Sequence, residues 1–254
     1  MTRFVLVHGA FMGGWCWDPV ADILRRAGHE VSAPDLPGAG ADRARVAQAT
    51  LTSCVDAVVR LLEATGPAVL VGHSLGGVTV TEVAAACPAA VLGVVHVAAF
   101  APRTGQSAVD LARLPEGAGE GLRSRMRVGA DGVATLSPAD AAEVLFSRCG
   151  PELVRWACER TGPHATWIPQ TPVTGTVHPG VPRAYVVCAR DRAVPQELQR
   201  RIARDAGCRP VLEIDTDHSP FLSAPASLAT ALVGLAGEWR SPSPHDDRVL
   251  GGRP

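Results

Sequence analysis

The chain of 254 residues has no lysine and no asparagine, and all 24 of its basic residues are arginines. With 25 acidic residues its net charge is −1, which indicates neither a nucleic acid nor an anionic membrane surface as a partner. No apolar run approaches the roughly 18 residues of a membrane span. The N-terminus leads directly into a predicted strand and lacks the architecture of a signal peptide. We therefore expect a cytoplasmic protein without a membrane or nucleic-acid partner.

Paired cysteines are also missing. The seven cysteines are scattered, none forms a C-x-x-C pair, and no histidine accompanies them at the spacing of a zinc site. An odd number of cysteines within predicted helices and strands is typical of a reducing compartment. We expect no metal and no organic cofactor. The composition, 46% hydrophobic and 19% charged, is ordinary for a globular enzyme, and the length suits one α/β domain.

The most informative stretch reads AVLVGHSLGG and begins at residue 68. Its apolar run, Ala68 to Val71, is typical of a buried strand, and an alanine-rich helical pattern follows from Val78 to Cys87. The G-x-S-x-G turn between them would project the Ser74 hydroxyl away from the backbone. Gly72 and Gly76 flank the turn because a Cβ there would collide with the neighbouring strand or helix. Ser74 is therefore a candidate nucleophile.

Apolar runs alternate with helical patterns along the chain. Runs without polar alternation are typical of parallel strands covered on both faces. Strands are predicted at 4–7, 30–33, 68–71, 91–98, 183–189 and 209–214. Helices are predicted at 18–27, 51–65, 78–87, 196–206 and 226–239, and a polar loop at 39–49. The alternation predicts an α/β fold, a doubly wound and mainly parallel six-stranded sheet with right-handed crossovers.

The alternation is interrupted after the fourth predicted strand. The interrupting segment is rich in glycine and proline and contains two short helical patterns, 139–149 and 152–160. An apolar helical insertion at this point is typical of a lid over a pocket. The tail has no periodicity, which is typical of disorder. We therefore predict a core (1–101 and 183–240), a cap (102–182) and a disordered tail (241–254).

Three residues have the order needed for acyl transfer. A nucleophilic serine requires a base that accepts its proton and an acid that orients the base. In a parallel α/β sheet these groups lie in loops at the carboxyl ends of strands. Asp191 follows the fifth predicted strand and His218 the sixth, so the order Ser74, Asp191, His218 matches that of a fold whose nucleophile turn comes first. Asp215 and Asp217 are rival acids, but they share the loop of His218.

The other histidines are weaker candidates for the base. His8 lies beside a glycine at the end of the first predicted strand and more simply shapes that turn. His73 is too close to Ser74 in the chain to turn back onto it easily. His164 and His178 lie in the predicted cap or its return, where they could touch a substrate.

An oxyanion site requires two converging N–H groups. The amide of Leu75 would open a helix, where unpaired amides and the helix dipole favour negative charge. The second amide should come from the turn after the first strand, either from Ala10 or from Phe11. Aromatic side chains predicted to line an apolar substrate pocket, although each is more often a core residue, are Phe11, Phe100, Phe146, Trp156 and Trp167.

Several segments carry a resemblance to a known family: FVLVHGA at 4–10, GGWCW at 13–17, AGHEV at 27–31 with Asp35-Leu36, GHSLGG at 72–77, LFSRCGPE at 145–152 and Asp217-His218. From about residue 3 to 238 the chain resembles, in a bacterial-type version, the α/β-hydrolases of the plant methylesterase and hydroxynitrile lyase branch. The resemblance implies a carboxylesterase fold with a helical cap, and a triad of Ser74, Asp191 and His218. It further implies a small-molecule ester as substrate and is compatible with a homodimer.

The lyases of this branch differ at three positions. They carry a threonine where this chain has Gly9, an acidic residue where it has His73, and a lysine where Ser219 follows the triad histidine. That lysine resembles a stabiliser of departing cyanide, and this chain has no lysine. All three departures favour hydrolysis. Because the segment 103–135 departs from the plant esterases, their substrates cannot be carried over.

Three hypotheses follow. The first is a serine hydrolase that cleaves a small ester or thioester through an acyl-enzyme. The second is a lyase or cyclase of secondary metabolism that uses the same base without an acyl-enzyme. The third is a small-molecule binding protein that retains a hydrolase pocket. Only the first places oxygen from solvent water in the product acid, and only the third predicts tight binding without turnover.

Overall fold

The computed structural model describes residues 1–118 and 121–239, so the predicted tail lies outside the described residues. Within them the strands are β1 (Arg3–Val7), β2 (Glu30–Ser32), β3 (Ala68–His73), β4 (Val91–Val97), β5 (Arg127–Val128), β6 (Val133–Thr135), β7 (His164–Ala165), β8 (Arg183–Cys188) and β9 (Val211–Ile214). Six of these strands form one sheet in the order β2-β1-β3-β4-β8-β9, and every neighbouring pair is parallel. The predicted doubly wound sheet is confirmed.

Helices connect the strands and cover both faces of the sheet. The α-helices are α1 (Asp18–Arg26), α2 (Leu51–Thr65), α3 (Gly76–Ala86), α4 (Ala108–Ala112), α5 (Leu122–Arg125), α6 (Pro138–Val144), α7 (Pro151–Cys158), α8 (Gln196–Asp205), α9 (Pro220–Ser223) and α10 (Pro225–Glu238). Capping residues in the sequence define where some of these helices begin and end. Thr50 and Ser53 form a reciprocal capping box at the start of α2, and Gly66, with φ +90°, ends that helix.

Alternate side chains of the central strands pack in two apolar cores, one on each face of the sheet. Side chains of α1 and α10 pack on one face against Phe4, Leu6, Val69, Val71, Val95 and Val97. Those of α2 and α3 pack on the other against Val5, Val7, Leu70 and Val94. Because β3 is buried along its whole length, its sequence shows a continuous apolar run rather than alternation.

Two parts of the chain differ from the sequence prediction. The predicted loop 39–49 contains 3₁₀-helical turns from Gly40 to Gln48, none of whose residues is buried, so the segment has no apolar face to reveal a helix. Between β4 and β8 lies a small antiparallel sheet, β5-β6-β7, that was not predicted. Its strands have two or three residues each, too short for a hydrophobic period.

The topology brings three loops to one edge of the sheet. The strands β3, β8 and β9 are parallel, so their carboxyl ends, followed by Ser74, Asp191 and His218, lie on the same side. The seven cysteines are all free. In the described part of the chain, no helix combines the length and the apolar character needed to cross a membrane.

Candidate active site

Ser74 occupies a strained turn between β3 and α3. Its φ is +51°, a left-handed conformation that non-glycine residues rarely adopt. The neighbouring strand fixes this conformation, because the Ser74 amide donates to the carbonyl of Val97 at 3.1 Å. The Ser74 carbonyl in turn accepts hydrogen bonds from the amides of Gly77 and Phe100. The turn is therefore held from several sides, as a projecting nucleophile requires.

The two glycines of the motif are needed for the close approach of strand and helix. A Cβ at Gly72 would lie 2.8 Å from the carbonyl oxygen of Gly76, and a Cβ at Gly76 would lie 2.5 Å from that of His8. Gly9 is equally tight, since a Cβ there would lie 2.8 Å from Cβ of Ser74. A side chain at position 9 would therefore require the Ser74 turn to shift.

The acid and base predicted from chain order are in contact. Nδ1 of His218 lies 2.7 Å from Oδ2 of Asp191, and both side chains are almost completely buried. Because a carboxylate accepts, Nδ1 carries the hydrogen and Nε2 remains free to act as a base. Within the described residues, no hydrogen bond joins Ser74 to His218. The two residues are connected instead through His73.

His73 joins the turn to the loop of His218. Its Nε2 lies 2.7 Å from the carbonyl oxygen of His218, and the two imidazole centroids are 4.6 Å apart. Since a carbonyl only accepts, Nε2 is the donor, and Nδ1 is a buried nitrogen that finds no partner among the described residues. Burial, with a smaller contribution from His218, lowers the pKa of His73 well below its usual value. A neutral His73 therefore holds the backbone of the candidate base.

A buried glutamine, which sequence reasoning missed, supports the acid. Nε2 of Gln199 in α8 donates to Oδ2 of Asp191 at 2.9 Å and to the carbonyl of Val194 at 2.8 Å. Oδ1 of Asp191 accepts from the amides of Ala193 and Val194. The available signal was weak: a polar residue on the buried face of an amphipathic helix, one turn after the acid loop.

The two rival acids have other partners. Asp217 is fully buried and accepts from the amide of Arg148 at 2.7 Å, the amide of Ser219 and the hydroxyl of Ser223. Asp215 is exposed and pairs with Arg190 at the surface. Neither carboxylate bonds to His218 in the described structure. Asp217 instead ties the loop of His218 to the segment between α6 and α7.

Two amides next to Ser74 are candidates for an oxyanion site. Ala10 and Leu75 both line the cavity that contains Ser74, and neither amide donates to an acceptor within the part of the chain that the structure describes. Phe11 follows with φ +65°, so the turn after β1 is also strained. Free amides of this kind are the donors that an oxyanion site requires.

The cavity above Ser74 has a volume of about 960 Å³. Its walls come from the sheet edge, where Phe11 and Phe100 lie as predicted, and from parts of 107–128 and 164–172. The other three predicted aromatic residues are elsewhere. Phe146 and Trp156 pack in the core around α1, and Nε1 of Trp167 donates to the carbonyl of Ala49. None of these three lines the cavity.

The fold and the G-x-S-x-G turn at Ser74 indicate the class of the protein. The chain matches the model of the alpha/beta hydrolase family over residues 4–231 and belongs to that family. Methyl jasmonate esterase 1 of Vitis vinifera is 32% identical, with 93% of this chain and 97% of the relative aligned. Salicylic acid-binding protein 2 of Nicotiana tabacum is 30% identical, with 93% of this chain and 98% of the relative aligned. The resemblance to the plant methylesterases is confirmed.

Solved structures agree with this placement. A crystal structure of polyneuridine aldehyde esterase superposes with a TM-score of 0.82 at 25% identity, covering 93% of this chain and 99% of that one. A pyrethroid hydrolase from Sphingobium faniae superposes with a TM-score of 0.79, also at 25% identity. The match covers 93% of this chain and 97% of the hydrolase chain. The first of these structures is named an esterase and the second a hydrolase.

Proposed function

We propose that this protein is a serine carboxylesterase that cleaves a small carboxylic ester, or thioester, through an acyl-enzyme on Ser74. The observation that carries the proposal is the buried His218–Asp191 pair, 2.7 Å apart, at the sheet edge where the strained Ser74 turn and two free amides also lie. The family and the names of the relatives support ester hydrolysis as the reaction.

The acylation step follows from the groups present. Nε2 of His218 accepts the Ser74 proton as Oγ attacks the ester carbonyl carbon. The carbonyl oxygen becomes an oxyanion, which the amides of Ala10 and Leu75 stabilise. Asp191 orients the ring and stabilises the imidazolium. His218 then gives its proton to the departing alcohol, and the acyl group stays on Ser74.

Deacylation repeats these roles with water as the nucleophile. His218 accepts a proton from water, the hydroxide attacks the acyl carbon, and Ser74 recovers its hydrogen from His218 as the acid leaves. One oxygen of the product acid therefore comes from solvent.

Residues 102–182 are proposed as the cap of this site. Parts of 107–128 and 164–172 form the wall opposite Ser74, and the amide of Arg148 is bound by Asp217 beside the candidate base. A wall of this kind excludes water from part of the cavity and limits which esters reach Ser74. We therefore expect the cap to contribute to substrate selectivity.

Reaction in ¹⁸O-labelled water tests the proposal. A panel of methyl and thioesters of increasing acyl length is incubated with the wild type, with Ser74→Ala and with Ser32→Ala, a matched serine variant in β2. Label in the product acid, lost in Ser74→Ala and kept in Ser32→Ala, is the expected result. Product without label would favour a lyase or cyclase. Tight binding of the esters without turnover would favour a binding protein.

A further inference from the structure

Most polar side chains on the cap wall of the cavity are already hydrogen-bonded within the protein. The Ser107 hydroxyl donates to the Asp110 carboxylate at 2.7 Å. The Thr166 hydroxyl donates to the carbonyl of Gly132 at 2.7 Å. The hydroxyl of Ser124 and the amide of Gln170 also donate to backbone carbonyls. The hydroxyl hydrogens of Ser107, Ser124 and Thr166 are therefore already used within the protein.

His164 in β7 differs from them. Its ring lines the cavity that contains Ser74, and its Nε2 is buried with no hydrogen-bond partner in the described residues. Burial lowers the pKa of His164 to about 4, so the ring is neutral at neutral pH. A neutral imidazole carries one N–H donor and one acceptor nitrogen. A buried polar group without a partner is costly, which is why native proteins rarely leave one unexplained.

The ring is fixed beside the candidate oxyanion turn. It packs edge-on against Phe11, with centroids 5.7 Å apart and an interplanar angle of 62°. The segment that leads into β7 is hydrogen-bonded to the same turn, because the amide of Gly162 donates to the carbonyl of Phe11 at 2.9 Å. On the other side His164 pairs with Ala134 of β6. The imidazole is therefore a preorganised group, since its backbone is held on both sides.

We propose that His164 binds a hydroxyl group carried by the substrate, so that the ester cleaved at Ser74 is a hydroxylated one. This inference rests on the proposed esterase function and names its substrate class. A hydroxyl group both donates and accepts, so it pairs with either tautomer of the ring. A neutral ring offers no charge to attract a carboxylate. Apolar side chains that also line the cavity, among them Phe11, Phe100 and Leu122, would hold the carbon skeleton.

A buried water is the rival partner for this nitrogen. His164 also lines a second cavity of about 30 Å³, shared with His8 and Leu75, which is large enough for one water molecule. A water molecule in this cavity would hydrogen-bond to Nε2 of His164 in the free protein. The substrate hydroxyl would then not be needed as its partner. The two possibilities differ in whether the ring changes the preference for a hydroxylated ester.

The test compares methyl 3-phenylpropanoate with its ortho, meta and para ring-hydroxylated analogues. The kcat/KM of each ester is measured for the wild type, His164→Phe and His164→Gln. We expect the wild type to prefer at least one hydroxylated isomer over the parent ester by about five- to tenfold, the effect of one net hydrogen bond. His164→Phe should abolish this preference, so that the ratio of kcat/KM for the hydroxylated and parent esters falls to about one. His164→Gln, which can still hydrogen-bond, should restore part of it.

Binding measurements separate this inference from the esterase proposal. The dissociation constants of the same esters are measured for Ser74→Ala, with and without His164→Phe. Thermal melts first show that each variant is folded. If His164→Phe does not fold, His164→Leu replaces it. A hydroxyl preference in binding that requires His164 supports the inference even if no ester is hydrolysed. Equal hydroxyl preferences with and without the imidazole, in both kcat/KM and binding, would overturn it and leave the esterase proposal standing.

Discussion

Asp191 receives four hydrogen bonds, from two backbone amides, from Gln199 and from His218. A carboxylate with this many donors cannot turn away from the ring that it faces, because any rotation breaks several bonds at once. The geometry therefore accounts for both the tautomer and the orientation of His218. It also separates Asp191 from the nearby carboxylates, which have other partners.

Replacing Asp191 by Asn should lower kcat by about 10⁴-fold, because an amide favours the wrong tautomer of His218. The matched control is Asp215→Asn, which changes an exposed carboxylate near the same loop and should keep kcat within about twofold. Steady-state kinetics on the best ester of the panel measures both. A kcat for Asp191→Asn close to that of the wild type would remove Asp191 from the proposed triad.

The sequence predicted the candidate nucleophile, acid and base, because each follows an apolar strand and their chain order is characteristic. The roles of Gln199 and His73 could not be predicted, since both depend on contacts between distant segments. The pocket aromatics were only partly predicted. The apolar side chain of Trp156 predicts packing against other residues, but only the placement of α7 decides that it contacts Trp15 instead of the cavity.

At the scale of elements, the junction of β3 and α3 depends on the absence of a side chain at Gly76. Gly76→Ala would place a Cβ 2.5 Å from a backbone oxygen that cannot move aside easily. We expect a loss of unfolding free energy of about 2 kcal/mol or more together with loss of activity. Gly234→Ala in α10 is the control, because a Cβ there meets nothing within 4 Å, and it should stabilise the helix by up to about 1 kcal/mol. Urea unfolding measures both; equal effects would contradict this account.

A second element-scale prediction concerns the connection between α6 and α7. Asp217→Ala would leave the amides of Arg148 and Ser219 and the Ser223 hydroxyl without their acceptor. We expect the unfolding free energy to fall by about 3 kcal/mol and kcat/KM to fall with it. Asp215→Ala, two residues earlier, removes surface ion pairs with Arg148 and Arg190 and should cost less than about 1 kcal/mol. Similar losses in the two variants would show that the buried carboxylate is not a tether.

The main elements were predictable because long apolar runs and helical periods leave strong signals. The strand β3 and the helix α2 match their predicted positions within two residues at each end. Short elements were not predictable. The helix α9 has four residues and begins with a proline, and the strands β5 and β7 have two residues each. Such elements form because neighbouring segments hold them, not because their own sequence specifies them.

For the molecule as a whole, buried histidines predict how stability depends on pH. Burial lowers the pKa of His8, His73, His96 and His164 in the folded state, to about 4 for the last two. The unfolded chain, with pKa values near 6.5, binds more protons between about pH 6.5 and 4. The stability that these neutral rings contribute is therefore complete above pH 6.5 and is lost as the pH falls toward 4.

Urea unfolding at pH 7.5, 6.5, 5.5 and 4.5 measures this dependence. Each such ring steepens the decline by up to about 1.4 kcal/mol per pH unit. His96→Gln removes one of them and should make the decline shallower. An unfolding free energy that is constant between pH 6.5 and 4.5 would contradict the neutral state of these rings.

Reaction with a fluorophosphonate probe shows whether His218 activates Ser74. Labelling is measured by mass spectrometry for the wild type, Ser74→Ala and His218→Ala, with Ser32→Ala as the control serine. We expect rapid labelling of the wild type and of Ser32→Ala on Ser74, with no labelling of Ser74→Ala and very slow labelling of His218→Ala. A folded wild type that resists the probe, or that reacts equally well without His218, would contradict it.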